Sequence, residues 1–151
     1  MALMDGPRFD RAMTEIFRVL RPGGRLAFSI THPCFITKGT RWMRNELGIK
    51  TELVVSHYFD SGDWVERWRF TDAPQEAPEF HVPRFDRTLS YYVNTILDAG
   101  FALSRVEEPR PSEAYCRDHP GQRGWRDHAA LYLYFGATRP DRSAAGAHHQ
   151  S

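Results

Sequence analysis

Lysine is almost missing from this 151-residue chain. Lys38 and Lys50 are the only two, so nearly all of its 20 basic side chains are arginine. They face 19 Asp and Glu residues, for a formal net charge of +1. So close a balance leaves no long-range field to gather nucleic acid or an anionic membrane, and neither is expected as a partner. Cysteine is scarce too. Cys34 and Cys116 share no metal-ligand spacing and cannot staple a secreted scaffold, so free thiols, no metal and a cytoplasmic setting are expected. No apolar run reaches the ~18 residues of a membrane span. The opening MALMDGPR lacks the basic region and apolar core of a signal peptide. Also absent is a glycine-rich turn leading from a strand into a helix, the cradle of nucleotide-like cofactors. The only double glycine, Gly23-Gly24, follows a helix pattern and precedes a strand pattern, which is the wrong order.

What is present suits one folded domain, with 41% hydrophobic and 26% charged residues. Residues 7–33 organise it. Phe9, Ala12, Met13, Ile16, Phe17 and Leu20 recur near the 3.6 period, which predicts an amphipathic helix over 8–20. Pro22-Gly23-Gly24 is expected to stop that helix, with glycine in the left-handed conformation beyond the last turn. Residues 25–31 then alternate. Leu26, Phe28 and Ile30 share one face and Ala27, Ser29 and Thr31 the other, a strand that both faces would allow to be covered.

Further on, residues 51–59 and 64–70 read as two strands joined by Asp60-Ser61-Gly62-Asp63 into a hairpin. The proline-rich stretch 71–83 reads as a loop. Thr88 can cap a helix carrying Leu89, Tyr92, Val93, Ile96 and Leu97, which Gly100 ends. Strands are expected over 101–106 and 129–137, the latter antiparallel because no helix separates it from its predecessor. The chain from Thr138 onward reads as a frayed tail.

These motifs resemble a known family. EIFRVLRPGGRLAFSITHP is similar to the segment before and through the fifth strand of class I S-adenosylmethionine-dependent methyltransferases. ALMD resembles the end of that family's fourth strand, and RTLSYYVNTILDAGFALSRVEEPRP its next helix and sixth strand. The strand at 129–137 fits the antiparallel seventh, inserted between the fifth and sixth. The resemblance covers most of residues 1–138 and implies an α/β fold: a partial Rossmann-like methyltransferase sheet with helices on its faces and a β-hairpin insert. Residues 34–85 would form a lid or acceptor-side insert, and 139–151 a flexible tail. The family binds its cofactor chiefly through its first two strands, so the chain is expected to be a C-terminal half, inactive alone. Asp86 stands where relatives often carry histidine.

Methyl transfer depends on alignment more than on covalent help, and a base matters only when the acceptor must lose a proton. Strand ends are where such groups gather. By the resemblance, Leu3, Met4 and Asp5 would touch S-adenosylmethionine. Asp5 could also cap the following helix. His32, just past a strand end, suits proton transfer or a structural role. His57, Tyr58, Trp64, Arg87 and Tyr91, with His32, could line a pocket for a small-molecule acceptor, or the aromatics could cover the insert's own core. An unprotected edge on strand 25–31 invites a homodimer, or a second chain supplying the missing half.

Overall fold

The computed structural model describes residues 2–69, 74 and 76–141. Its first regular helix, α1 (Phe9–Val19), follows the apolar periodicity and buries Phe9 and Met13 completely. Leu20 turns extended at φ −70° and ψ 138°. The turn after it is closed by the Gly24 N–H donating to the Arg21 carbonyl at 2.8 Å, with Gly23 at φ 73°. Proline at the second position and glycine at the third make this a type II turn. The double glycine therefore shapes the turn rather than capping the helix. The cap comes from Arg139, whose guanidinium donates to the carbonyls of Phe17 (2.6 Å) and Leu20 and lies 4.6 Å over the Phe17 ring. The chain is thus held past Thr138. Of the tail expected over 139–151, residues 142–151 lie outside the described residues, as do 71–73 and 75 of the expected loop.

Strand β1 (Arg25–Thr31) pairs antiparallel with the last strand, β7 (Tyr132–Thr138), which also pairs antiparallel with β6 (Ala102–Glu107). The order β1-β7-β6 places the antiparallel strand between two that run parallel, as expected. Phe28 faces Phe135 and Ile30 faces Leu133. That face meets α1 and α2 (Leu89–Asp98) in one core containing Phe9, Met13, Tyr92, Ile96 and Phe101. The Thr88 hydroxyl caps α2 by accepting from the Tyr91 N–H. At its other end Gly100 (φ 98°) donates to Leu97 and Phe101 to Ile96, the paired bonds of a Schellman motif. The second sheet face differs from expectation: Ala27 and Tyr134 are exposed there, over a shallow depression of about 330 Å³.

The start of the chain is not extended. Ala2–Met4 forms a 3-10 turn lying against β1. So short a segment, with Gly6-Pro7 behind it, satisfies its own backbone more readily than a ladder. The insert also departs from the single hairpin expected between 51–59 and 64–70. β3 (Lys50–Val54) pairs back with β2 (Arg41–Arg44), while β4 (Gly62–Trp68) pairs forward with β5 (Phe80–Asp86). Pro83 argued for a loop, yet both strands of a two-stranded sheet are edge strands, where a missing N–H is tolerated. Between β6 and β7, where a loop without a helix was expected, lie α3 (Glu113–Asp118), a 3-10 turn and α4 (Arg123–Asp127), which packs on β3. The strand is antiparallel all the same, because these helices are short and do not form a crossover onto the sheet. Among the described residues no helix is long and apolar enough to cross a membrane, and no His, Cys, Asp and Glu group is placed to hold a metal.

Candidate functional site

The end of β1, the 3-10 turn and the end of β5 converge on one corner of the molecule. Two concavities meet there and share Phe85, Asp86 and Arg87 as a wall. The inner one is little larger than a water, at about 20 Å³, and lies among Met4, Thr31, Tyr58, Arg84 and Tyr92. The outer one is an open cleft of about 430 Å³ bounded by Pro7, Phe59, Asp63, Thr88 and Tyr91.

Backbone carbonyls and two arginines hold this corner together. Arg87 donates to the carbonyls of Met4 (3.3 Å) and Gly6 (2.6 Å), tying the start of the chain to the β5–α2 junction. Its guanidinium also lies 5.6 Å from the Phe85 ring and 5.7 Å from that of Tyr91. Arg84, with only 13% of its side chain exposed, donates to the Thr31 hydroxyl at 3.1 Å and pairs with Glu66 at 3.4 Å. Between them in sequence, Asp86 accepts from the Trp64 indole N–H at 2.9 Å. Burial pushes the Tyr92 phenol up against the opposing pull of Arg87 and Arg84. Burial likewise raises Tyr58, and the neighbouring Cys34 thiol adds to it, while a bond from the Leu89 N–H at 2.9 Å opposes. Both phenols are neutral at pH 7 and serve as hydrogen-bonding groups. Asp86 is then the carboxylate in the shared wall.

The corner brings together Met4, Tyr58, Arg87 and Tyr91 of the residues expected at a site. Trp64 stands behind it, acting through Asp86. The rest lie elsewhere. Leu3 packs on the core, and Asp5 is exposed, while the residue at the α1 N-cap is Arg8. His57 is exposed at φ 63° and bonds Asp60, which it shares with Lys38. His32 is 2% exposed with both ring nitrogens engaged. Its Nδ1 accepts from the Cys34 N–H at 3.2 Å, so Nε2 carries the proton and donates to Glu108 at 2.7 Å. His32 thus links the ends of β1 and β6. No local pattern marks Thr31, Arg84, Phe85 and Asp86 as site residues: Thr31 ends β1, and the other three end β5, whose first residues fall in the stretch 71–83 expected as loop.

As a test of S-adenosylmethionine, the corner offers one wall and no more. An inner space of about 20 Å³ cannot take a nucleoside-sized ligand, and no glycine-rich strand-to-helix turn is present. The described residues do not by themselves fit the cofactor.

No protein-family model matches the chain, and no curated protein does. Solved structures do. One, from Listeria monocytogenes and described as a proposed S-adenosylmethionine-dependent methyltransferase, aligns with a TM-score of 0.69 and 26% identity over 93% of this chain. An S-adenosylmethionine-dependent methyltransferase from Mesorhizobium loti aligns with a TM-score of 0.70 and 25% identity over 92%. The likeness supports membership of the S-adenosylmethionine-dependent methyltransferase family. The chain spans 59% of the length of each of these structures. The three-stranded sheet with helices on its face is consistent with part of a Rossmann-like methyltransferase fold.

Proposed function

We propose that these residues form the acceptor side of a methyltransferase that uses S-adenosylmethionine and a small-molecule acceptor. The carrying observation is the 430 Å³ cleft, with aromatic walls and the carboxylates Asp63 and Asp86, which shares the wall Phe85–Arg87 with the inner space at the β1 end and the first turn. Phe59, Phe85 and Tyr91 offer flat apolar contact to a small acceptor, and Asp86 can accept a proton or hydrogen bond from its hydroxyl or amine. Arg87 and Trp64 hold that wall in place. His32 is a positioning residue in this reading, fixing the β1 exit through Glu108 and Cys34, while Asp5, exposed, lines neither concavity. Lacking a glycine-rich cofactor turn, the 151 residues alone neither bind S-adenosylmethionine tightly nor transfer methyl groups.

The cleft is tested by nuclear magnetic resonance titration with phenol and benzylamine as probes. The expected result is saturable change at Phe85, Asp86 and Tyr91, weakened in Tyr91→Ala. Probes that gather elsewhere, or bind Tyr91→Ala unchanged, would count against it.

A second reading rests on β1. It is an edge strand of seven residues without proline and with Arg25 as its single charge. Its far end is covered, since the Thr31 N–H points to the Met4 sulfur at 3.3 Å. The remainder is open to pairing with a second copy, giving a homodimer, or with another chain. Sedimentation at high concentration distinguishes the dimer from a monodisperse monomer.

A further inference from the structure

On the other side of the insert, a groove of about 290 Å³ runs between the β2–β3 tip and residues 120–124. The register there shifts from Met43↔Glu52 to Arg44↔Lys50, which leaves Thr51 as the bulged residue and sets two cations directly opposite each other. Like charges so placed destabilise a hairpin. Neither is free to swing away. Lys50 donates to the Gly121 carbonyl at 2.8 Å, and its ammonium lies 4.9 Å over Trp42 and 5.8 Å over Trp125. Arg44 donates to the Gly48 carbonyl at 2.7 Å. Among the described residues, neither cation has a carboxylate partner; both are held by neutral oxygens. The third cation lining the groove, Arg123, is neutralised by Glu113 (2.5 Å) and Asp127 (3.0 Å).

The walls leave room for a ligand. A side chain at Gly121 would meet nothing within 4 Å, whereas one at Gly124 would run into Trp42 and Lys50, so glycine there keeps the wall close. Leu47, 82% exposed, offers an apolar rim. Burial, and secondarily the charge of Arg44, presses the Lys50 ammonium down, the electrostatic signature of a cation lacking a counterion.

We propose that this groove binds a small oxyanion, phosphate or carboxylate, bridged between Arg44 and Lys50. An oxyanion there exchanges repulsion for charge-assisted hydrogen bonds to both cations. The inference is independent of the methyltransferase reading, since it uses none of the residues of the cleft.

The test is a titration of the whole chain with inorganic phosphate, and separately with acetate, at ionic strength fixed with sodium chloride. The Trp42 and Trp125 indole and Lys50 side-chain resonances are followed. Saturable change at these three groups with either anion is expected, and which anion it is identifies the source. Lys50→Met, which keeps the stem between the indoles, and Arg44→Gln should each weaken binding about tenfold, the scale of one charge-assisted bond. Arg11→Gln, on the exposed side of α1, should leave it unchanged. A non-saturating response, saturable shifts that map elsewhere, or binding that survives both substitutions would overturn the proposal. Because the wild-type map is read without any variant, misfolding of either substitution does not rescue it.

Discussion

Single side chains do much of the joining in this molecule, and the two most telling act across large sequence separations. Arg139 closes α1 from the far end of the chain. Arg139→Ala should lower stability by about 1–2 kcal/mol, the scale of charged hydrogen bonds to helix carbonyls, measured by urea unfolding. Tyr92 gives a pH dependence of definite sign. Its folded pKa is raised above the ordinary tyrosine value near 10, chiefly by burial, so the protonated phenol is favoured in the fold. The associated stability is fully present below pH 10 and is lost as pH rises through the folded value. Tyr92→Phe should therefore unfold less steeply than the wild type above pH 10, followed by circular dichroism. His32 was visible in the sequence as a residue at a strand end. Its partner Glu108 stands 76 positions away, and nothing local announces such a bond.

At the scale of elements, periodicity carried most of the information. α1, α2 and the inward faces of β1 and β7 were legible because one apolar stripe or alternation dominates each. Capping chemistry was legible too: Thr88 and Gly100 do what their types suggest. The failures came where elements are small. Nothing in the composition of β3 says whether it pairs backward or forward, and Pro83 disguised β5, which carries the wall of the candidate site. Two glycines separate conformational need from mere presence. Gly100 sits at φ 98° with the Phe17 ring 3.0 Å from where a side chain would start, while Gly121 faces open space. Gly100→Ala should cost more than about 1 kcal/mol, and Gly121→Ala should stay within about 0.5 kcal/mol of the wild type. Thermal unfolding of the pair checks the contrast.

For the whole molecule, the three-stranded order, the two helices on one face and the likeness to methyltransferase structures agree with the sequence resemblance. The cofactor side is where the residues present stop short: a corner with one wall, an inner space too small for a nucleoside, and no glycine-rich turn. The exposed edge of β1 gives the expectation of a dimer at high concentration, which equilibrium sedimentation would reveal as a doubled mass. The proposal with most at stake is that this chain carries the acceptor side of a methyltransferase and does not bind S-adenosylmethionine on its own. Calorimetric titration of the chain with S-adenosylmethionine tests it most directly. The account expects no saturable heat up to millimolar ligand; a micromolar dissociation constant for the chain alone would contradict it.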